Sequence, residues 1–92
     1  MERLSDSAIE ERLEGGRWRR QGETIVRDIE FATFAEAIAY VNAVAERAER
    51  ADHHPDILVH GYRHVRLTLT THAAGGLTER DFALAGAVDA LP

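Results

Sequence analysis

The sequence contains no cysteine and no lysine among its 92 residues. The missing cysteines exclude disulfide bonds, a cysteine nucleophile and thiolate metal sites, and they fit a protein of the reducing cytoplasm. All 11 basic residues are arginines, and the formal net charge is −5. Because a general nucleic-acid binder would present a basic face, no nucleic-acid partner is expected.

Long apolar runs are also missing from the chain. No stretch approaches the roughly 20 residues that cross a bilayer, so no membrane association is expected. The first six residues are charged and lack the apolar core of a signal peptide. We therefore expect a cytoplasmic protein that forms a single domain over residues 1–92.

Several catalytic motifs are absent as well. Both serines, Ser5 and Ser7, fall in the predicted N-terminal helix without a nucleophile elbow, which argues against a serine hydrolase. No GxGxxG or Walker A loop follows a predicted strand. Five histidines and several acids could bind zinc, but no HExxH motif or Cys/His spacing supports a zinc site, and no metal is expected.

Hydrophobic periodicity predicts both helices and strands. In chain order they are a helix at 1–14, strands within 17–32, a helix at 34–51, a hairpin at 57–72 that turns at Gly61, and a helix at 78–91. This order is typical of an α+β fold in which an antiparallel β-sheet has helices packed on one face. Exposed outer strands favour pairing with a second copy, so a homodimer or homotetramer is expected.

The same patterns predict which side chains are buried. The long helix has apolar residues at three- and four-residue steps, which are Phe34, Ala37, Ile38, Val41, Ala45 and Ala48. In the second arm of the hairpin, the core face is Val65, Leu67 and Leu69, and the polar face runs to His72. In the strand before the long helix, Val26 falls on the polar side. The expected helix caps are Ser5 or Ser7, Thr33 and Thr78.

Three histidines are the leading candidates for chemistry. His53 and His54 follow the long helix, and Pro55 ends that helix and favours an extended His54. His72 is predicted at the end of the last strand. Imidazole has an unperturbed pKa of about 6.5, so it can accept or donate a proton near neutrality. Each histidine alone also fits a solvated chain end, but together they could converge on one small molecule beside the small-residue loop at 73–76.

Other polar residues allow two interpretations. Glu49 and Asp52 could be solvated, or they could belong to the substrate-binding site, where each could orient a histidine and Asp52 could fix the tautomer of an imidazole. Asp81 is expected to act only as a helix cap. His60 and His64 flank the hairpin turn and are expected to face solvent.

Three arginines, Arg17, Arg19 and Arg20, surround the single tryptophan, Trp18. A solvated turn is the expected structure for this segment. The alternative is that Trp18 stacks on a flat ring while the arginines bind anions.

The spacing of these residues resembles that of the pterin-4a-carbinolamine dehydratases. The similarity runs from about Trp18 to the C-terminus, and it is carried by Asp52-His53-His54-Pro55, Tyr62, Val65, Thr71-His72, Gly76-Leu77-Thr78 and Asp81. The resemblance implies a dehydratase that eliminates water from a 4a-hydroxytetrahydropterin and forms quinonoid dihydropterin during tetrahydrobiopterin recycling. It implies a pterin as the small-molecule partner and no metal or organic cofactor.

The resemblance also implies which residues form the pterin site. They are His53, His54 and His72, with contributions from Pro55, Thr71, Ala73 and Ala74. Elimination needs one group that removes a proton and one that donates a proton, and two imidazoles in different protonation states can do both. We expect His53 and His72 to be this pair and His54 to hold the pterin, although the roles could exchange.

Some positions depart from the family pattern. Ile57 and Leu58 stand where an aromatic residue often follows the proline, Arg63 follows Tyr62 where asparagine is frequent, and one extra residue separates Pro55 from Tyr62. Relatives with this fold include a dimerisation partner of a transcription factor and assembly factors without dehydratase activity. A non-enzymatic binding, dimerisation or assembly factor is therefore the alternative function, and an enzyme acting on another pterin is a further one. Because all three histidines are retained, we expect an enzyme.

Overall fold

The computed structural model describes residues 2–92 as a four-stranded antiparallel sheet with helices on one face. The elements are α1 (Asp6–Leu13), β1 (Arg19–Gln21), β2 (Thr24–Glu30), α2 (Phe34–Ala51), β3 (Asp56–His60), β4 (His64–Leu69), a 3₁₀ turn (His72–Ala74) and α3 (Glu79–Asp89). The strand order is β1-β2-β4-β3, which leaves β1 and β3 at the edges. The predicted α+β class is confirmed.

The first helix, α1, begins later than predicted. Ser5, one of the two expected caps, accepts a hydrogen bond through its side chain from the backbone N–H of Ala8 at 3.2 Å. Before this cap, the backbone N–H of Leu4 donates to the carbonyl of Leu77 at 2.8 Å, which ties the segment to the chain before α3. Met1, where the predicted helix began, lies outside the described residues.

The long helix α2 has the predicted bounds but a slightly different buried face. Thr33 caps it by accepting a hydrogen bond from the backbone N–H of Glu36 at 3.1 Å. The fully buried residues are Ala37, Val44 and Ala48. The predicted burial of Phe34 and Ala45 is wrong, since Phe34 is 54% exposed and Ala45 is exposed. Residue 45 is about 100° around the helix from residue 44, so only one of two neighbours can point at the sheet.

The hairpin of β3 and β4 confirms the predicted alternation. Val65, Leu67 and Leu69 are at most 1% exposed and pack in the core cluster with residues of all three helices. Two consecutive left-handed residues, Gly61 (φ 53°) and Tyr62 (φ 56°), form the turn. β4 ends at Leu69, so the prediction that His72 ends this strand is wrong.

The outer face of the sheet is polar apart from the buried Val26 and the exposed Leu58. Val26 lies on the predicted polar side and outside the core cluster, but it is only 2% exposed. Its cross-strand partners are Arg19 and Thr68, and the stem of an arginine covers apolar surface while its charged head stays in water. Next to them, the hydrogen bond from Arg66, supported by Arg19, holds the pKa of Asp28 below its ordinary value.

Trp18 belongs to the core and does not offer a free stacking surface. It is 8% exposed, and its Nε1–H donates to both carboxylate oxygens of Asp89 at 3.0 and 3.1 Å. Arg27 pairs with the same carboxylate at 2.6 Å. Arg19 and Arg20 lie in β1 and not in a turn, and each contacts a carboxylate, at 2.8 and 2.9 Å. None of the helices within residues 2–92 has both the length and the apolar composition that a bilayer crossing requires.

Candidate active site

The C-terminal end of α2 directs its two histidines differently. Asp52 adopts the left-handed conformation (φ 50°, ψ 43°), which aspartate tolerates better than most residues. The backbone N–H of His53 then donates back to the carbonyl of Ala48 at 3.2 Å, as in a Schellman helix end. This turn buries His53, which is 8% exposed. Pro55 disfavours helical angles at His54, which is exposed.

His53 lies against a buried carboxylate. Its Nε2 is 2.6 Å from Oδ1 of Asp81, which is 0% exposed. The other carboxylate oxygen, Oδ2, accepts hydrogen bonds from the hydroxyl of Thr71 at 2.8 Å and from the backbone N–H of Thr78 at 2.9 Å. An ionised carboxylate only accepts hydrogen bonds, so this network places a His53 proton on Nε2. Nδ1 is then the nitrogen that can accept a further proton.

Asp81 is therefore more than a helix cap, and the expectation that it acts only as one is wrong. The predicted capping box of α3 is present, since the side chains of Thr78 and Asp81 each bond the backbone near the other residue. The contact with His53 is additional, and the two residues are 28 positions apart in the chain. No local spacing rule connects them. The carboxylate that orients a buried imidazole is thus Asp81, whereas Asp52 contributes a backbone carbonyl to the guanidinium of Arg80.

The second histidine, His54, has its own carboxylate partner. Its Nε2 is 2.9 Å from Oε2 of Glu49 on the last turn of α2. Glu49 therefore combines both interpretations, since it contacts a histidine while its side chain is 77% exposed. Both side chains are more than half exposed, so water screens this pair and it restricts His54 less than Asp81 restricts His53.

His72 reaches the site from a short closed loop. Thr71 and Gly76 exchange two backbone hydrogen bonds of 3.2 and 3.3 Å, which bring the two ends of residues 72–75 together. His72 is the first residue of the 3₁₀ turn, and Gly75 closes the turn with φ 72°. Because the side chain of Thr71 is bonded to Asp81, the loop is anchored to the same carboxylate as His53.

These elements border one open hollow of about 270 Å³. Its lining consists of Asp52, His53, His54, Thr70, Thr71, His72, Ala73 and Arg80. Ligand pockets typically measure about 300–1,000 Å³, so this hollow has room only for a small ligand. Other hollows on the described surface are as large, at about 280, 320 and 360 Å³. The three converging imidazoles, and not the volume, distinguish this hollow from the others.

Three of the predicted site residues do not line the hollow. Glu49 acts on it only through His54, Pro55 leads from His54 into β3, and Ala74 lies in the 3₁₀ turn beyond Ala73. Thr70 and Arg80 line the hollow but were not predicted. Arg80 lies in the first turn of α3, where the helix dipole disfavours a positive charge. This unfavourable position is the feature of the sequence that could have identified Arg80 as a candidate site residue.

The remaining two histidines lie elsewhere. His60 and His64 flank the turn of the hairpin, at the end opposite to Thr70, and their ring centroids are 5.3 Å apart. No group of three or more histidine, aspartate or glutamate side chains within residues 2–92 is arranged to hold a metal ion. The hollow offers imidazole groups from two separate chain segments, the end of α2 and the loop at 72–75.

Comparison with known proteins identifies the family. The family model described as pterin 4 alpha carbinolamine dehydratase matches residues 2–91. A protein of Acidobacterium capsulatum is 54% identical over 92 residues, covering 99% of both chains, and one of Thermomicrobium roseum is 56% identical over 86 residues, covering 92% of this chain and 91% of that protein. Both carry the name "Putative pterin-4-alpha-carbinolamine dehydratase".

Two solved structures are also similar. The transcriptional coactivator/pterin dehydratase from Brucella melitensis is 34% identical with a TM-score of 0.88, and the match covers 96% of each chain. A pterin dehydratase-like protein identified as a RuBisCO assembly factor in the alpha-carboxysome is 30% identical with a TM-score of 0.67, covering 83% of this chain and 89% of that one. From the match over residues 2–91 and the identity to full-length relatives, this chain belongs to the pterin 4 alpha carbinolamine dehydratase family.

Proposed function

We propose that this protein dehydrates a 4a-hydroxytetrahydropterin by histidine acid/base catalysis. The observation that carries the proposal is the convergence of His53, His54 and His72 on one hollow, with His53 held on a buried carboxylate. Membership of the family supports a pterin as the substrate. The proposed product is the quinonoid dihydropterin of tetrahydrobiopterin recycling.

The reaction needs two proton transfers. The C4a–oxygen bond breaks, the adjacent ring nitrogen loses its proton, and a carbon–nitrogen double bond forms as water leaves. A neutral imidazole can take the proton from nitrogen and an imidazolium can donate one to the departing hydroxyl. The proposal assigns both transfers to protein side chains and calls for no metal or organic cofactor.

The hydrogen bonds of the site suggest a role for each histidine. His53 donates Nε2–H to Asp81 and so keeps Nδ1 free, which suits the base that takes the proton from the ring nitrogen. In this assignment His72 is the acid that protonates the hydroxyl, and His54, paired with Glu49, holds the pterin. Arg80 has N–H groups beyond the one that binds Asp52, and these can donate to acceptor atoms of the heterocycle.

A non-enzymatic role in binding, dimerisation or assembly is the second candidate. The similarity to the protein identified as a RuBisCO assembly factor supports it. Retention of all three histidines around the hollow favours the enzyme, because a binding protein has no use for a pair of proton-transfer groups.

A direct assay separates these two functions. Purified protein is mixed with chemically generated 4a-hydroxytetrahydropterin, and the ultraviolet absorbance of the quinonoid dihydropterin is followed. We expect dehydration above the rate in buffer, increasing linearly with protein concentration. A His60→Ala variant, altered at the far end of the hairpin, should match the unmodified protein. A rate equal to that in buffer would contradict the dehydratase and favour the binding role.

We also propose that the protein works as a homodimer or homotetramer in the cytoplasm. β3 is an edge strand with unpaired backbone groups, and its Leu58 is 52% exposed on the outer side. Such an edge favours pairing with another copy. Light scattering coupled to gel filtration should give two or four times the mass of one chain, and the mass of a single chain would contradict this.

A further inference from the structure

Three side chains form a row across the outer face of the sheet at the hairpin turn. His60 of β3 and His64 of β4 are direct cross-strand partners, and Glu30 of β2 is the partner of His64 on its other side. The imidazole rings have centroids 5.3 Å apart and planes inclined by 24°. The proposed dehydration does not use these histidines, which lie at the opposite end of the hairpin from the hollow.

The backbone holds the two rings close together. The turn between them is short, and the backbone N–H of Arg63 donates to the carbonyl of Gly61 at 2.7 Å. A Cβ built on Gly61 would lie 3.1 Å from Cδ2 of His64, so this ring packs directly against the turn. Strand register and turn therefore hold the two histidines at directly opposite backbone positions, which lowers the entropy cost of binding one ligand with both.

The separation of the rings matches that of two imidazoles on one metal ion. Metal–nitrogen bonds of about 2.0–2.1 Å at a tetrahedral angle put two ring centroids about 5 Å apart. The carboxylates of Asp28 and Glu30 line the hollow of about 360 Å³ beside the rings. They offset most of the nearby positive charge, because Arg66 and Arg19 both pair with Asp28 at 2.8 Å and Arg63 pairs with Glu30 at 3.0 Å.

We propose that His60 and His64 together chelate a divalent transition-metal ion, such as Cu²⁺, Ni²⁺ or Zn²⁺, with water at the remaining coordination positions. Imidazole is a preferred ligand of these ions. Because the protein supplies only two ligands, the bound ion should exchange readily with ions in solution. It requires no pterin and does not depend on the proposed dehydration.

Calorimetry with each metal chloride tests the site in a buffer that does not bind metals. The unmodified protein should bind one ion per chain, with Cu²⁺ tighter than Ni²⁺. The double variant His60→Gln/His64→Gln should no longer bind at this site, because both imidazole ligands are removed. The single variant His60→Gln should lose about 10²-fold in affinity, because the remaining imidazole binds without its intramolecular partner. The matched control His54→Gln changes an exposed histidine at the other site and should bind as the unmodified protein does.

A residue-specific measurement locates the ion. Substoichiometric Cu²⁺ should broaden the backbone amide signals of residues 61–63 before those of Ala73 at the hollow. Equal affinity of the double variant, loss of affinity in the His54→Gln control, or broadening that begins at Ala73 would each overturn the assignment. Unchanged amide spectra of the metal-free variants exclude misfolding as the cause of lost binding.

Discussion

Replacing His53 by alanine is expected to lower the rate constant for dehydration by about 10²–10⁴-fold, the usual contribution of one acid/base group. The structural reason is the contact of Nε2 with the buried carboxylate of Asp81, which leaves Nδ1 as the proton acceptor. The measurement is the single-turnover rate of quinonoid dihydropterin formation at saturating protein. A change confined to substrate affinity would instead assign His53 to pterin binding.

A second substitution separates lost proton transfer from lost packing. In His53→Gln, the side-chain amide can still donate a hydrogen bond to Asp81, but it cannot act as a general acid or base near neutral pH. Both variants should therefore be slow, while His53→Gln should unfold closer to the urea concentration of the unmodified protein. Normal turnover by folded His53→Gln would remove this histidine from the chemical step.

Replacing Asp81 by alanine is expected to lower the free energy of unfolding by about 3–5 kcal/mol, as when one partner of a buried pair is removed. The carboxylate is 0% exposed and accepts hydrogen bonds from three donors, on His53, Thr71 and Thr78. Truncation would leave these donors without their acceptor and would also break the capping box of α3. Since small domains have about 5–15 kcal/mol in total, urea unfolding followed by circular dichroism should detect the loss easily.

The isosteric variant Asp81→Asn tests whether this carboxylate also matters for catalysis. Its amide oxygen can still accept from Thr71 and Thr78, so the stability loss should be smaller than in Asp81→Ala. Its NH₂ group would then face Nε2 of His53 and favour the tautomer that carries the proton on Nδ1. We expect a folded protein with greatly reduced turnover. Full activity in this variant would limit Asp81 to a structural role.

The predictable parts of this fold are those governed by local periodicity. The alternation from Val65 to Leu69 and the bounds of α2 follow from side-chain period and from the cap at Thr33. These features need only neighbours within a few residues. The extended backbone at His54 was also foreseeable, because Pro55 disfavours helical angles at the residue before it.

The remaining features depend on contacts between distant segments. Asp81 reaches His53 only because α3 packs beside the end of α2, and no spacing along the chain records that contact. His72 leaves the strand pattern early because Thr71 pairs with Gly76 and turns the backbone. The helical period predicts that Phe34 is a core residue, yet it lies in the first turn of α2, away from the face that carries the buried residues.

The left-handed backbone at Asp52 has a consequence for engineering the ligand preference of this hollow. Asparagine and glycine adopt that conformation readily, whereas β-branched residues resist it, so a mutant library at this position should exclude valine, isoleucine and threonine. Thr70 and Ala73 border the same space without positive φ angles and can be randomised more freely. A library aimed at a new specificity should therefore vary the residues on the loop side of the hollow and leave the end of α2 unchanged.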